Sequence, residues 1–421
     1  MTNTIILIIA GTLLWAYAVD IMAKKFQIPA VIPLVASGLG MNVYLQHLGQ
    51  PMDWLDLTLP VLGTVGLILI VLEGALDLKL QRDKAGLMAK SLISATLAFF
   101  LCTAAYAYLF GWAFDFNRYT AIALAIPFAI ISSAVAIPSG RALEKSQSEF
   151  VVYESSISDI LGVLVFFAWI DATDNATQFG TDLIGGGALS LLLSVIFSLG
   201  LIWLIGQVKG HVRFLPILAM LFLLYGVGKG LHLSPLILVL GFGLMLNNVA
   251  LIKRIPLAKR LLDPKIDNTV TEFKAQVSEL EFGVRSVFFI MLGLWTPLQS
   301  LADYRAWLVS LAIIAVLLVI RAVILKLLRI ELSQLLWLAP RGLITVLLAL
   351  TAMESIDIGD FPQGAVMITV LATCLLVLLS RPKVARAAPY VEPHRVVLPN
   401  LPVVEPTPMP VSDTGDGNAQ P

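Results

Sequence analysis

Charged residues are scarce in this chain. Only 13 % of its 421 residues are Asp, Glu, Lys or Arg, whereas a soluble domain carries roughly 25 %. The 28 basic and 28 acidic residues leave no net charge, so the sequence offers no basic surface for nucleic acid. Because the polar loops and termini are short, we expect the chemistry of this protein to lie within its apolar segments.

Cysteines and cofactor motifs are also few or missing. The two cysteines, Cys102 and Cys374, both lie inside apolar runs, which argues against a disulfide framework. None of the four histidines has metal-binding spacing to a cysteine or to another histidine. The sequence contains no phosphate-binding loop and no nucleophile elbow. We therefore expect neither an enzyme nor a bound cofactor.

Long apolar runs fill most of the chain instead. Hydrophobic residues make up 58 % of the sequence, and runs near 20 residues are long enough to cross a bilayer as helices. The runs lack the polar-apolar alternation of barrel strands, so an all-α membrane protein is predicted. About thirteen spans are expected: 4–22, 28–47, 54–78, 88–113, 119–140, 150–170, 183–207, 212–231, 233–251, 277–298, 306–328, 332–352 and 362–380.

The positions of the basic residues predict the orientation of these spans. Lys and Arg follow the odd-numbered spans, as at Lys24, Arg141 and Lys209, whereas acidic residues such as Asp171 follow the even-numbered ones. The positive-inside rule then places the N-terminus outside and the C-terminus in the cytoplasm. No basic residue precedes the first apolar run, so it is predicted to be a retained span rather than a cleaved signal.

Two spans carry helix-breaking residues at corresponding places. Pro127 and Pro138 bracket Ser132-Ser133 in span five, and Pro340 with Gly342 interrupts span twelve. Interrupted helices at matching positions of inverted repeats indicate a transporter site at mid-membrane. We predict two inverted six-helix repeats, at about 4–170 and 212–380, within a transmembrane domain of residues 1–381. The Pro-rich segment 382–421 is predicted to be a disordered cytoplasmic tail.

Asp159 is the candidate ion-binding residue, because it lies in the middle of an apolar span, where an acid is functional by default. Ser155, Asp159 and Gly162 share one helix face, with Ser158 beside them. A carboxylate with hydroxyls and loosened backbone carbonyls is suited to Na⁺, Li⁺, K⁺ or a proton. Such a group can hold either a proton or a cation, which is sufficient for exchange.

Other charged residues are also predicted inside the spans. Glu73 is expected to be a second ligand or a gate, unless it only faces water near the end of its helix. Arg341 is as deep as Asp159 and needs an acid; Glu154 and Asp159 are the candidates, and a structural pair with Glu154 is favoured. Arg285 is expected to pair with Glu281 one turn earlier.

The chain resembles the monovalent cation:proton antiporter superfamily, which includes bacterial sodium/proton antiporters and sodium/hydrogen exchangers. The resemblance covers nearly the whole chain to about residue 380 and rests on "IPAVIPLVASGLGMN", "GLILIVLEGALDL", "YESSISDILGVLVF", "VFFIMLGL" and "APRGLITVLLAL". It implies a homodimer in the cell membrane (the inner membrane in bacteria) with a dimerisation domain, a mobile core domain and an elevator-type movement. It also implies crossed discontinuous helices in spans five and twelve and a role in pH homeostasis.

Matching motifs imply roles for individual residues. Asp159 and Ser155 correspond to the binders of a monovalent cation, with Ser132, Ser133, Ser158 and Glu73 around them. The family usually has Asn-Asp or Asp-Asp where this chain has Ser158-Asp159, and Thr-Asp-Pro where it has Ser132-Ser133-Ala134. A single aspartate implies electroneutral exchange of Na⁺, or of K⁺ or Li⁺, for H⁺. The alternative is a proton-coupled transporter of a small anionic organic solute on the same fold.

Overall fold

The computed structural model describes residues 2–26, 28–49, 54–78, 84–172, 185, 187–207, 214–230, 235–248 and 266–380. Within these ranges the chain is α-helical and contains no β-strand, as predicted. The predicted tail 382–421 lies outside the described residues. The described residues form sixteen α-helices: α1 Thr2–Phe26, α2 Val31–His47, α3 Trp54–Asp77, α4 Ala85–Phe114, α5 Arg118–Ala129, α6 Ser133–Gly140, α7 Lys145–Asp171, α8 Gly187–Gln207, α9 Phe214–Gly230, α10 Pro235–Asn247, α11 Ile266–Trp295, α12 Leu298–Ala302, α13 Tyr304–Leu327, α14 Leu332–Leu335, α15 Leu343–Ser355 and α16 Gly364–Leu376.

Several of these helices have the length and composition of membrane spans. Among the described residues, five helical segments are long and apolar enough to cross a bilayer: Thr58–Asp77, Ala85–Phe114, Arg118–Gly140, Lys145–Asp171 and Tyr304–Leu327. Large apolar side chains project outward from α1, α4 and α13, and Leu14, Trp112 and Leu327 are each at least 70 % exposed. Such surfaces are rare on soluble monomers and suit contact with lipid.

The structure extends one predicted span and confirms the break in another. The sequence predicts that the tenth span begins at 277, whereas α11 begins at Ile266. A search for apolar runs stops at charged residues, but the helix continues through them. The twelfth span consists of the short helix α14, a non-helical stretch and the helix α15. The break near Pro340 and Gly342 is therefore present, as the two residues predicted.

The helices around the site pack closely. Helix α11 lies against α2 and α3, while α7 lies against α4, α5 and α6. A Cβ atom at Gly38 would overlap the carbonyl oxygen of Ile290, and one at Gly293 would overlap that of Val35. These two glycines let α2 and α11 approach backbone to backbone. Asn42 reinforces the contact by donating a hydrogen bond to the carbonyl of Leu294.

Candidate ion-binding site

The two interrupted helices meet at their breaks. Helix α5 ends at Ala129, residues 130–132 are extended, and α6 begins at Ser133. The backbone N–H of Ser132 donates to the carbonyl of Pro340, in the other break, at 2.9 Å. A Cβ atom at Gly342 would overlap the Ser132 hydroxyl. Only glycine fits there, and the two breaks are in direct contact.

Helix α7 satisfies the backbone groups that the first break leaves open. Ser158 Oγ accepts a hydrogen bond from the N–H of Ile131 at 2.9 Å, and Asp159 Oδ2 accepts one from the N–H of Ser133 at 3.0 Å. The first N–H groups of a helix have no partner within it and form its positive end. The Asp159 carboxylate is stabilised by this position, and Ser158 supports the extended segment.

Asp159 has one oxygen engaged and one open. The residue is only 4 % exposed, and Oδ1 accepts no hydrogen bond within the part of the chain that the structure describes. One turn further along α7, a Cβ atom at Gly162 would overlap the side chain of Ile130. Glycine there lets the extended segment lie against α7. The open oxygen can take a proton or a small cation.

The other predicted ligands are positioned differently. Ser155 Oγ donates to the carbonyl of Val151 on its own helix at 2.7 Å. Glu73, on α3, is half-buried and accepts a hydrogen bond from Ser278 on α11 at 2.7 Å. Hydrogen bonds thus bring Asp159 and Ser158 to the break at 131–133. No hydrogen bond in the described structure joins Ser155 or Glu73 to them.

The predicted pair of Glu154 with Arg341 is wrong, because Glu154 pairs with Arg321 of α13. Arg321 Nη1 and Nη2 donate to the two carboxylate oxygens at 3.1 and 2.9 Å, and Ser94 donates to Glu154 Oε1 at 2.6 Å. Both charged residues are buried, at 2 % exposure or less. Arg321 also donates to the carbonyls of Leu335 and Leu338. The depth of Arg341 indicated that it needs a partner, but depth does not say which helix supplies it.

Arg341 binds backbone carbonyls instead of a carboxylate. Its Nε donates to the carbonyl of Phe128 at 2.6 Å and its Nη1 to that of Ala339 at 3.2 Å. Phe128 lies in the last turn of α5, where carbonyls lack helical partners and a positive charge is favourable. Arg341 thus compensates the end of α5, while Asp159 compensates the beginning of α6.

The sequence profile of the family described as "Sodium/hydrogen exchanger, transmembrane" matches residues 8–382. The chain belongs to the sodium/hydrogen exchanger family. The resemblance found in the sequence is therefore confirmed, and the protein is an integral multi-pass membrane protein. A search of curated proteins finds no match.

Solved structures have the same fold. A structure of the sodium proton antiporter MjNhaP1 from Methanocaldococcus jannaschii at pH 8 matches with a TM-score of 0.67 and 20 % identity, over 90 % of this chain and 96 % of that chain. A second structure of MjNhaP1, from an electron-microscopy map, matches with a TM-score of 0.67 and 19 % identity, over 90 % and 95 % of the two chains. Both matches support the all-helical antiporter fold.

Some residues that hydrogen-bond to the predicted site residues were not singled out from the sequence. Thr373 Oγ1 accepts a hydrogen bond from the backbone N–H of Arg341 at 3.0 Å. Ser278 holds Glu73, as described above. Thr369 and Thr373, spaced four apart in an apolar span, were a usable signal for the first, because hydroxyls on one face of such a helix need partners.

A cavity of about 480 Å³ lies where α3 begins and α7 and α15 end. Its lining includes the carboxylates Asp171 and Glu354 and the hydroxyls of Thr64 and Thr351. Asp159 is not among the lining residues. The candidate ion-binding residue therefore does not line this cavity.

Proposed function

We propose that this protein exchanges a monovalent cation for protons, with Na⁺ the expected cation and K⁺ or Li⁺ possible. The observation that carries the proposal is the buried Asp159 carboxylate, whose Oδ2 accepts from the first N–H of α6 and whose Oδ1 accepts no hydrogen bond among the described residues. Family membership supports cation/proton exchange in general. Asp159 is the residue that we propose to bind the proton or the cation.

The chemistry of one carboxylate explains an exchange reaction. Alkali cations prefer oxygen ligands, and a buried carboxyl group binds a cation only after losing its proton. Each cation bound thus displaces one proton, and each proton bound displaces one cation. Because Asp159 is the one carboxylate that bonds to the break in the described structure, we propose electroneutral exchange with one cation per proton.

The contact between the two breaks supports alternating access. We propose that the segments 4–170 and 212–380 are inverted repeats of a thirteen-span domain that crosses the membrane of the cell. Movement of a core domain against a dimerisation domain would carry Asp159 between the two faces. A homodimer, an external N-terminus and a cytoplasmic C-terminus complete the proposal.

Proton flux in proteoliposomes tests the function. A pH gradient is imposed, and Na⁺, Li⁺, K⁺ or choline is then added to vesicles that contain the unmutated chain or Asp159→Asn. Collapse of the gradient by Na⁺ or K⁺ with the unmutated chain alone is expected. An undiminished response in folded Asp159→Asn would refute the role of Asp159. A response that changes when the membrane potential is clamped would refute electroneutrality.

One observation favours a second candidate, a proton-coupled transporter of a small organic anion. Arg341 is fully buried, and its Nη2 donates no hydrogen bond in the described part of the chain. An anion bound at the breaks could accept from this nitrogen. Arg341→Ala would then abolish binding of the anion, whereas a loss of stability alone favours cation exchange.

A further inference from the structure

The proline in α6 leaves one backbone carbonyl without its normal partner. In an α-helix the carbonyl of Ala134 would accept from the N–H of residue 138, but residue 138 is proline and has no N–H. Ala134 directly follows Ser133, whose N–H binds Asp159. The carbonyl without a helical donor is therefore next to the residue that holds the candidate site.

Arg285 on α11 supplies the missing donor. Its Nη1 lies 3.4 Å from the Ala134 carbonyl oxygen, and the same nitrogen lies 3.2 Å from Glu281 Oε1, one turn earlier on α11. Glu281 is 2 % exposed, and its ion pair with Arg285 confirms the predicted pair. Helix α11 thus reaches the first turn of α6 through one side chain.

We propose that Arg285 is a positioning residue that fastens α6 to α11 in this conformation and must release it during transport. The bond crosses from α11, which packs on α2 and α3, to the half-helix that carries the Asp159 hydrogen bond. At 3.4 Å the hydrogen bond is long. The inference rests on the proposed alternating access.

The simpler alternative is that Arg285 and Glu281 form an ion pair within α11 that has no role at α6. The two alternatives predict different effects of the substitution Pro138→Ala. If the Ala134 carbonyl is the functional partner, Pro138→Ala gives that carbonyl a donor within α6 and weakens its need for Arg285. If Arg285 only neutralises Glu281, Pro138→Ala leaves the role of Arg285 unchanged.

The first test measures the position of α6 relative to α11 without requiring transport. Spin labels are attached at Arg141→Cys, just beyond α6, and at Gln276→Cys on α11; both positions are exposed, whereas Cys102 and Cys374 are buried. The measured quantity is the ratio of molecules with the label-to-label distance of the unmutated chain to molecules with any other distance. In Arg285→Gln we expect this ratio to fall roughly fivefold, the effect of losing one hydrogen bond. Arg285→Lys, which keeps a charge and a donor, is expected to restore most of it.

Lys274→Gln is the matched control. Lys274 also lies on α11 and forms an ion pair with Asp77 at 2.8 Å, but that pair does not touch α6. Its removal should leave the label distances unchanged. Equal shifts in Lys274→Gln and Arg285→Gln would overturn the proposal, and so would an unchanged distribution in folded Arg285→Gln.

The second test is a double-mutant cycle on exchange kinetics in oriented vesicles. Arg285→Gln and Pro138→Ala should each destabilise the conformation in which Arg285 binds Ala134. Each should therefore raise the KM for the cation on the membrane face to which that conformation opens, and lower it on the other face. Their combination should change it no more than either alone. Additive effects would overturn the proposal. If the unmutated chain exchanges no cation at all, the proposed function fails, while the label distances still decide whether Arg285 fastens α6.

Discussion

Replacing Glu154 with alanine leaves Arg321 buried without a carboxylate. Of the contacts that the described structure gives Arg321, only the carbonyls of Leu335 and Leu338 would remain. Ser94 would also lose the acceptor of its 2.6 Å hydrogen bond. Breaking one side of a buried ion pair costs about 3–5 kcal/mol. We expect Glu154→Ala to lower the free energy of unfolding by an amount in this range.

Removing both charges should cost less than removing one. Apolar residues of similar volume can replace a buried pair at little cost, so Glu154→Leu combined with Arg321→Met is expected to be more stable than either single variant. Lys84 and Glu149 provide a control pair at 2.8 Å that is only partly buried, with side chains 30 % and 25 % exposed. Breaking that pair should cost no more than about 1 kcal/mol.

Reversible unfolding in mixed micelles, followed by tryptophan fluorescence, measures these differences. A double-mutant cycle between Glu154 and Arg321 should give a strong coupling energy. The same cycle between Glu154 and Arg341 should give a coupling energy within about 0.5 kcal/mol of zero. Strong coupling of Glu154 to Arg341 would refute the pairing seen in the structure. The pairing would also be refuted if the double Glu154/Arg321 variant lost as much unfolding free energy as the two single variants together.

Further predictions concern the breaks. Gly342→Ala places a methyl group against the Ser132 hydroxyl and should abolish exchange while costing about 1–3 kcal/mol of stability. Gly40→Ala, in a helix with open space around it, should leave exchange unchanged without lowering stability, because alanine favours a helix more than glycine does. An active Gly342→Ala would contradict the close approach. Ser158→Ala leaves the Ile131 N–H without its acceptor and should cost about 1–3 kcal/mol, measured by the same unfolding titration; a loss below about 0.5 kcal/mol would show that the N–H finds another partner.

Local chemistry was enough to predict the helix breaks, but not their positions. Pro127 and Pro138 lie inside α5 and α6, and the extended residues 130–132 lie between them. A proline disturbs the turn before it, so the break was expected within the bracketed region. Its location depends on Ser158 and Asp159, which accept the N–H groups that the extended segment exposes.

Partners from distant parts of the chain were not predictable in the same way. The sequence indicated that Glu154 and Arg341 are buried charges, but the identity of a partner depends on which faces of α4, α7 and α13 meet. Arg321, the partner that Glu154 has in the structure, was not proposed for it from the sequence. The freed carbonyl of Ala134 was implicit in Pro138, yet only the structure reveals that Arg285 reaches it.

We propose that the Asp159 carboxylate is shared between a proton and a cation. Calorimetric titration of the purified protein with Na⁺, in two buffers with different ionisation enthalpies, counts the protons released per cation bound. At a pH at which the carboxyl group is protonated, we expect one proton per Na⁺, and neither binding nor release in Asp159→Asn. Na⁺ binding without proton release, or the same release in folded Asp159→Asn, would contradict the account.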